Sequence, residues 1–161
     1  MQLRAVQRIV GLLLALFGLT MLPSLLIAWH DGDGTLAGFG VSCAATVACG
    51  LLLWLPARAR QVELRLRDGF LVVVSAWFVL ALFGAGPFVA NAGLSFGDAV
   101  FESVSGLTTT GATVLAGLDR LPRSLLYYRQ QLQWLGGMGI IVLAVAILPM
   151  LGIGGMQLFR A

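Results

Sequence analysis

Residues 9–29 run for 21 positions without a single charge, and uncharged apolar runs recur at 36–55, 70–89 and 132–151. A helix of about 20 apolar residues crosses the hydrocarbon core of a bilayer, so four such runs occupy about half of the 161 residues. Only 11% of the residues are charged, against roughly 25% in an ordinary soluble domain. That composition excludes a soluble globular domain and a disordered tail. Two cysteines are too few for a disulfide framework, and a single histidine cannot build a multi-histidine metal site. The expected fold is an all-α integral membrane protein with four transmembrane helices.

Arg4 and Arg8 precede the first run, as in a signal peptide. The run is too long for a signal core and no small-x-small cleavage site follows, so it is read as a retained helix kinked at Pro23. A polar turn, His30 to Gly34, separates it from the second run, which Trp54 and Pro56 close. Gly84, Gly86 and Pro87 loosen the end of the third. Net charge is +3 with a pI near 9.5, and all ten basic residues are arginines. In a soluble protein this would suggest nucleic acid. Here Arg58, Arg60, Arg65 and Arg67 lie between two apolar runs, where they orient the chain in the membrane. With the N-terminus inside, Arg4, Arg8, Arg58, Arg60, Arg65, Arg67 and Arg160 are cytoplasmic, and Arg120, Arg123 and Arg129 are outside. Both termini of this segment are therefore expected in the cytoplasm.

The stretch between the third and fourth runs carries the functional signal. Ser95-Phe96-Gly97-Asp98 fits a capping box with Asp in place of Glu or Gln, and Gly106 fits the glycine position just past a helix end. A helix over 96–105 measures about 15 Å, half the depth of the hydrocarbon core. The small polar strand Thr108-Thr109-Thr110-Gly111-Ala112-Thr113 follows. A half-length helix with such a strand describes a re-entrant loop, which survives at membrane depth only when buried in protein or lining a watery cavity. The helix would then aim the negative end of its dipole at the bilayer centre. The strand would offer carbonyl and hydroxyl oxygens to replace the hydration shell of an alkali cation. No carboxylate lies within 108–113, which disfavours a divalent-ion filter.

The segment Phe101-Glu102-Ser103-Val104-Ser105-Gly106-Leu107-Thr108-Thr109-Thr110-Gly111-Ala112-Thr113 resembles the first pore loop of the bacterial Trk/Ktr potassium-uptake family, in its TrkH/TrkG branch. Gln133-Trp134-Leu135-Gly136-Gly137-Met138-Gly139-Ile140 resembles the start of that family's next helix. The similarity extends from Arg8-Ile9-Val10-Gly11 to Gly154-Gly155-Met156-Gln157-Leu158. It implies four helix–pore loop–helix repeats around one potassium pathway, preceded by an extra helical pair. Residues 1–68 would be that pair with its Arg-rich linker, and residues 69–161 the first repeat. By the same resemblance Thr109, Thr110 and Gly111 are the potassium-binding positions. Potassium is the transported ion, and no organic cofactor or enzymatic activity is implied. It also implies an inner-membrane location, homodimerisation and a cytosolic nucleotide-binding regulatory ring. The Thr109-Thr110-Gly111-Ala112-Thr113 run keeps the first glycine of the potassium-channel pattern Thr-Val-Gly-Tyr-Gly and lacks the second, so looser discrimination against sodium is expected. One loop cannot surround an ion; the chain is expected to be part of a longer transporter.

Several signals admit a plainer reading. Gly106 to Thr113 has the spacing of a phosphate-binding loop, but Ala112 stands at the lysine position, which argues against nucleotide. Asp98 and Glu102 share a helix face. Asp98 is read as a cap, and Glu102 as a hydrogen-bonding group in the pore wall, or else a source of negative potential near the ion. With Thr108, Ala112 and Thr113 they are candidate supports of the loop. Gly136, Gly137 and Gly139 allow close helix packing or a hinge. Cys43 and Cys49, six residues apart, suit burial rather than chelation. Two other functional classes stay open: a non-transporting membrane scaffold, and a small homotetrameric cation channel.

Overall fold

The computed structural model describes residues 3–57 and 66–147, and every regular element among them is helical. The order is α1 (Leu3–Leu19), α2 (Leu22–Asp31), α3 (Leu36–Trp54), α4 (Leu66–Gly84), α5 (Gly86–Ala92), α6 (Phe96–Leu107) and α7 (Arg123–Ile147), with single 3-10 turns at Leu55–Ala57 and Leu118–Arg120. Among the described residues, three helical stretches are long and apolar enough to cross a membrane: Leu3–Asp31, Leu36–Ala57 and Asp68–Ala92. The expected fourth span overlaps α7, which begins nine residues earlier than the apolar run. Pro122 starts it, its carbonyl accepting from the amides of Leu125 and Leu126 at 3.0 and 3.1 Å. Pro149, Arg160 and the Gly154–Leu158 motif, like Arg58, Arg60 and Arg65, lie outside the described residues.

Two of the spans are broken, each just before a proline. The first divides at Thr20-Met21, because Pro23 has no N–H to continue the helical ladder. The third divides at Ala85, ahead of Pro87. Both breaks leave carbonyls needing donors, and both receive one from α7. The Gln131 amide donates to the Thr20 carbonyl, and the buried Tyr128 hydroxyl donates to the Gly84 carbonyl at 3.0 Å.

The helices approach closely where side chains are small. A Cβ on Gly11 would lie 2.8 Å from the Gly50 carbonyl oxygen, and one on Gly50 would lie 2.4 Å from the Ala15 nitrogen. No β-carbon fits there, so α1 and α3 touch backbone to backbone. Cys43, on the same α3 face, donates to the Gly18 carbonyl at 3.2 Å; Cys43 and Cys49 are both free thiols. The core gathers Phe17, Met21, Phe39, Phe88, Leu107, Leu125 and Leu132 around Tyr128. The Tyr128 ring stands edge-on to Phe39 at 5.5 Å and tilted to Phe88 at 5.4 Å. Leu12, Leu16, Leu52, Phe78, Ile141 and Val142 remain exposed around the outside, an apolar surface unlike that of a soluble monomer.

Candidate functional site

Helix α6 begins as its capping residues dictate. The Ser95 hydroxyl accepts the Asp98 amide at 3.2 Å and donates to the Asp98 carboxylate at 2.7 Å. The helix runs twelve residues, about 18 Å, and ends differently from the sequence expectation. Gly106 is not the residue past the end. It is helical and buried, and a Cβ on it would sit 2.9 Å from the Leu132 Cβ. Its missing side chain serves the α6–α7 contact.

The actual terminus is a Schellman turn with threonine in the glycine position. Thr110 N–H bonds the Ser105 carbonyl at 2.9 Å, and Thr109 N–H bonds the Gly106 carbonyl at 3.0 Å, the paired bonds that define this ending. Thr109 carries φ of +57°, the one positive φ outside glycine among the described residues. A β-branched residue there is a genuine outlier. Gly111 follows with φ of +76°, a conformation that suits glycine.

Beyond this turn the loop is tied down on one side. Glu102, 1% exposed on α6, accepts from the Thr113 hydroxyl, from the Val114 and Leu115 amides at 2.6 and 3.3 Å, and from the Arg129 Nε at 3.2 Å. Arg129, 8% exposed on α7, also donates through Nη2 to the Gly111 carbonyl at 3.0 Å. The Ser105 hydroxyl donates to the Ala112 carbonyl at 2.6 Å. The carbonyls of Thr108, Thr109 and Thr110 accept no protein donor among the described residues. On that free side the Thr108 and Thr110 hydroxyls lie 2.8 Å apart, and 108–114 are exposed. The arrangement can therefore present a short row of neutral oxygens to a partner of positive charge, and it contains no nucleophile–base pair.

A family model described as "TrkH: Cation transport protein" matches residues 39–161. The chain belongs to the TrkH family. Curated relatives include Trk system potassium uptake protein TrkH of Halomonas elongata, 59% identical over 99% of this chain and 34% of the relative. TrkH of Vibrio parahaemolyticus is 57% identical, covering 100% of this chain and 34% of the relative. TrkG of Escherichia coli is 41% identical over 98% and 33%. The crystal structure of the potassium transporter TrkH from Vibrio parahaemolyticus superposes with a TM-score of 0.89 at 55% identity, covering 96% of this chain and 34% of that one. The chain thus spans about a third of the length of these TrkH relatives.

Within this TrkH-family chain, Thr109, Thr110 and Gly111 fall together at the end of α6, with Glu102, Thr108, Ala112 and Thr113 in the network around them. Asp98 sits a helix length away at the cap. The three glycines of α7 separate by role. A Cβ on Gly136 would lie 1.9 Å from the Leu107 carbonyl oxygen, whereas the nearest atom to one on Gly137 is 3.9 Å away (Thr109 Cγ2) and on Gly139 3.6 Å (Trp77). Gly136 alone is a close-approach residue.

Arg129 is the functional neighbour that the sequence did not reveal. Counted with Arg120 and Arg123 as an outer-loop charge, it lies instead inside α7, buried against Glu102. Its nearest acid in sequence, Asp119, is ten residues away, so no local pairing signal marked it. A second polar cluster joins residues about 90 positions apart. Asp33, in the α2–α3 turn, accepts from the Thr35 amide and hydroxyl at 3.0 and 2.6 Å and from the Ser124 hydroxyl at 2.6 Å. Partial desolvation pushes the Asp33 pKa up, but the Ser124 and Thr35 hydrogen bonds outweigh it and hold the carboxyl below its ordinary value.

Proposed function

We propose that the chain forms the N-terminal part of a potassium-uptake transporter of the bacterial inner membrane and supplies one of the oxygen-lined loops of its ion pathway. The TrkH and TrkG relatives are potassium uptake proteins of the Trk system, which supports the activity and the ion. The observation that carries the local assignment is the row of carbonyls at 108–110, without a donor among the described residues, set at the negative end of α6 and stiffened from behind by Glu102, Ser105 and Arg129. Potassium binds through oxygens of Thr109, Thr110 and Gly111; Gly111 contributes the lone pair that Arg129 leaves and the backbone angle that turns the chain. Neutral oxygens match a weakly hydrated monovalent cation, which they strip of water without the charge of a carboxylate.

In this reading α6 dips into the membrane as a pore helix. Residues 1–68 are a preceding helical pair, residues 69–161 are the first repeat, and both termini face the cytoplasm. The remaining repeats of the longer transporter complete the ring of oxygens around the ion, and lipid covers the apolar outer faces. A second copy and a cytosolic nucleotide-binding ring are the expected assembly partners. The chain catalyses no covalent chemistry.

The test is a bulky residue at Gly111, such as Gly111→Val, in the full-length transporter, with rubidium uptake followed in potassium-starved cells. Loss of uptake or of selectivity is expected; unchanged uptake and selectivity would refute the assignment. A cysteine at Thr110 adds an independent check. It reacts with a small polar thiol reagent from outside when the loop lines a pathway, and stays protected when the loop packs as part of a scaffold.

A further inference from the structure

We infer that Arg129, paired with Glu102, is a positioning residue that sets ion discrimination by orienting the Gly111 peptide; this rests on the loop being the ion pathway. Arg129 does two jobs with one guanidinium. Nε engages Glu102 Oε2 at 3.2 Å, and Nη2 engages the Gly111 carbonyl at 3.0 Å. A planar fork fixes the relative position of its two partners, which a lysine ammonium cannot do. Glu102 in turn grips the chain beyond Gly111 through Thr113, Val114 and Leu115, while the Thr110 amide is held before it by the Ser105 carbonyl at 2.9 Å. The loop is thus held on both sides of its glycine, and the peptide that follows Gly111 cannot rotate without breaking a charge-assisted hydrogen bond.

The pair also resolves an electrostatic conflict. A buried cation one hydrogen bond away from a carbonyl meant for potassium would repel the ion. With Glu102 at 1% exposure beside it, Arg129 can direct the loop while the pair stays neutral.

The two partners therefore differ in what their loss does. Arg129→Lys keeps the charge but not the fork. In full-length transporter it should let sodium compete about tenfold better against rubidium uptake, the effect of one lost charge-assisted bond, with the maximal rate per folded molecule little changed. Glu102→Gln leaves the guanidinium uncompensated and should raise the KM for rubidium by a similar factor. A purely structural role predicts less folded protein with KM and sodium competition untouched; that result in either variant, with folded protein quantified by size-exclusion chromatography, overturns the inference. Gly111→Val separates the two levels. If it alters uptake while Arg129→Lys and Glu102→Gln leave KM and sodium competition at wild-type values, the positioning role falls and the pathway stands. If it too changes nothing, both fall.

Discussion

Replacing Gly136 with alanine adds one methyl group where α7 crosses the last residue of α6. The new Cβ would meet the Leu107 carbonyl oxygen at 1.9 Å, its carbonyl carbon at 2.6 Å and its Cα at 2.9 Å. All three are backbone atoms, so no rotamer change relieves the overlap. Restoring an ordinary contact of 3.4 Å requires the helices to separate by about 1.5 Å, against the Gly106–Leu132 contact next to it. Overpacking of this kind costs about 1–3 kcal/mol, more than the ~1 kcal/mol that alanine gains over glycine in a helix. The displaced element carries Thr108 and Thr109, so rubidium uptake should fall together with thermal stability. Gly137→Ala and Gly139→Ala meet their nearest neighbours at 3.9 and 3.6 Å and should be neutral or slightly stabilising. Thermal unfolding of the three purified full-length variants, with uptake measured alongside, decides the matter. A Gly136→Ala protein as stable and active as the parent, or a Gly137→Ala protein equally damaged, would refute the packing argument.

Three further outcomes follow from single contacts. Tyr128→Phe strands the buried Gly84 carbonyl at the α4–α5 break and should lower stability by about 1–3 kcal/mol, read as a lower unfolding temperature; a neutral substitution would show that the carbonyl has another donor. Thr109→Gly removes the left-handed strain and should raise stability by about 1–2 kcal/mol, with the backbone oxygens kept in place; a loss of stability would contradict the turn described. Asp33→Asn should destabilise at neutral pH by about 1 kcal/mol. Because the folded pKa of Asp33 is depressed, its contribution is present above the unfolded value of about 4 and is lost as pH falls through the folded value. The difference between parent and variant unfolding temperatures should therefore shrink below about pH 4, and a constant difference across that range would exclude Asp33 as its source.

The parts of this fold that were legible in the sequence are those set by local chemistry. Uncharged runs announced the long helices, Ser95 and Asp98 announced the start of α6, and Pro23 and Pro87 announced breaks that fall two or three residues upstream of them. The end of α6 was not legible, because a glycine that closes a helix and a glycine that admits a neighbouring helix are the same letter. Only the Leu132 side chain, 26 residues on, distinguishes them at Gly106. The same ambiguity covered the α7 glycines, where contact with Leu107 singles out Gly136. Arg129 was hidden for a related reason: its acid is 27 residues away, so it read as a loop charge.

One helix connects these separate features. Ser124, Tyr128, Gln131, Leu132 and Gly136 recur at spacings of three and four, so they share a face of α7, and Arg129 lies beside it. That face holds the α2–α3 turn through Ser124, the two proline breaks through Gln131 and Tyr128, and α6 through Leu132 and Gly136. In a membrane an unpaired carbonyl has no water to bond, so the broken spans depend on donors that arrive only when α7 is in register. A slip of α7 by one residue would withdraw Tyr128 and Gln131 from the breaks as it withdrew Arg129 from Gly111. The geometry of the loop and the integrity of the two interrupted spans are therefore a single packing problem, and substitutions on this face of α7 should couple to one another rather than add.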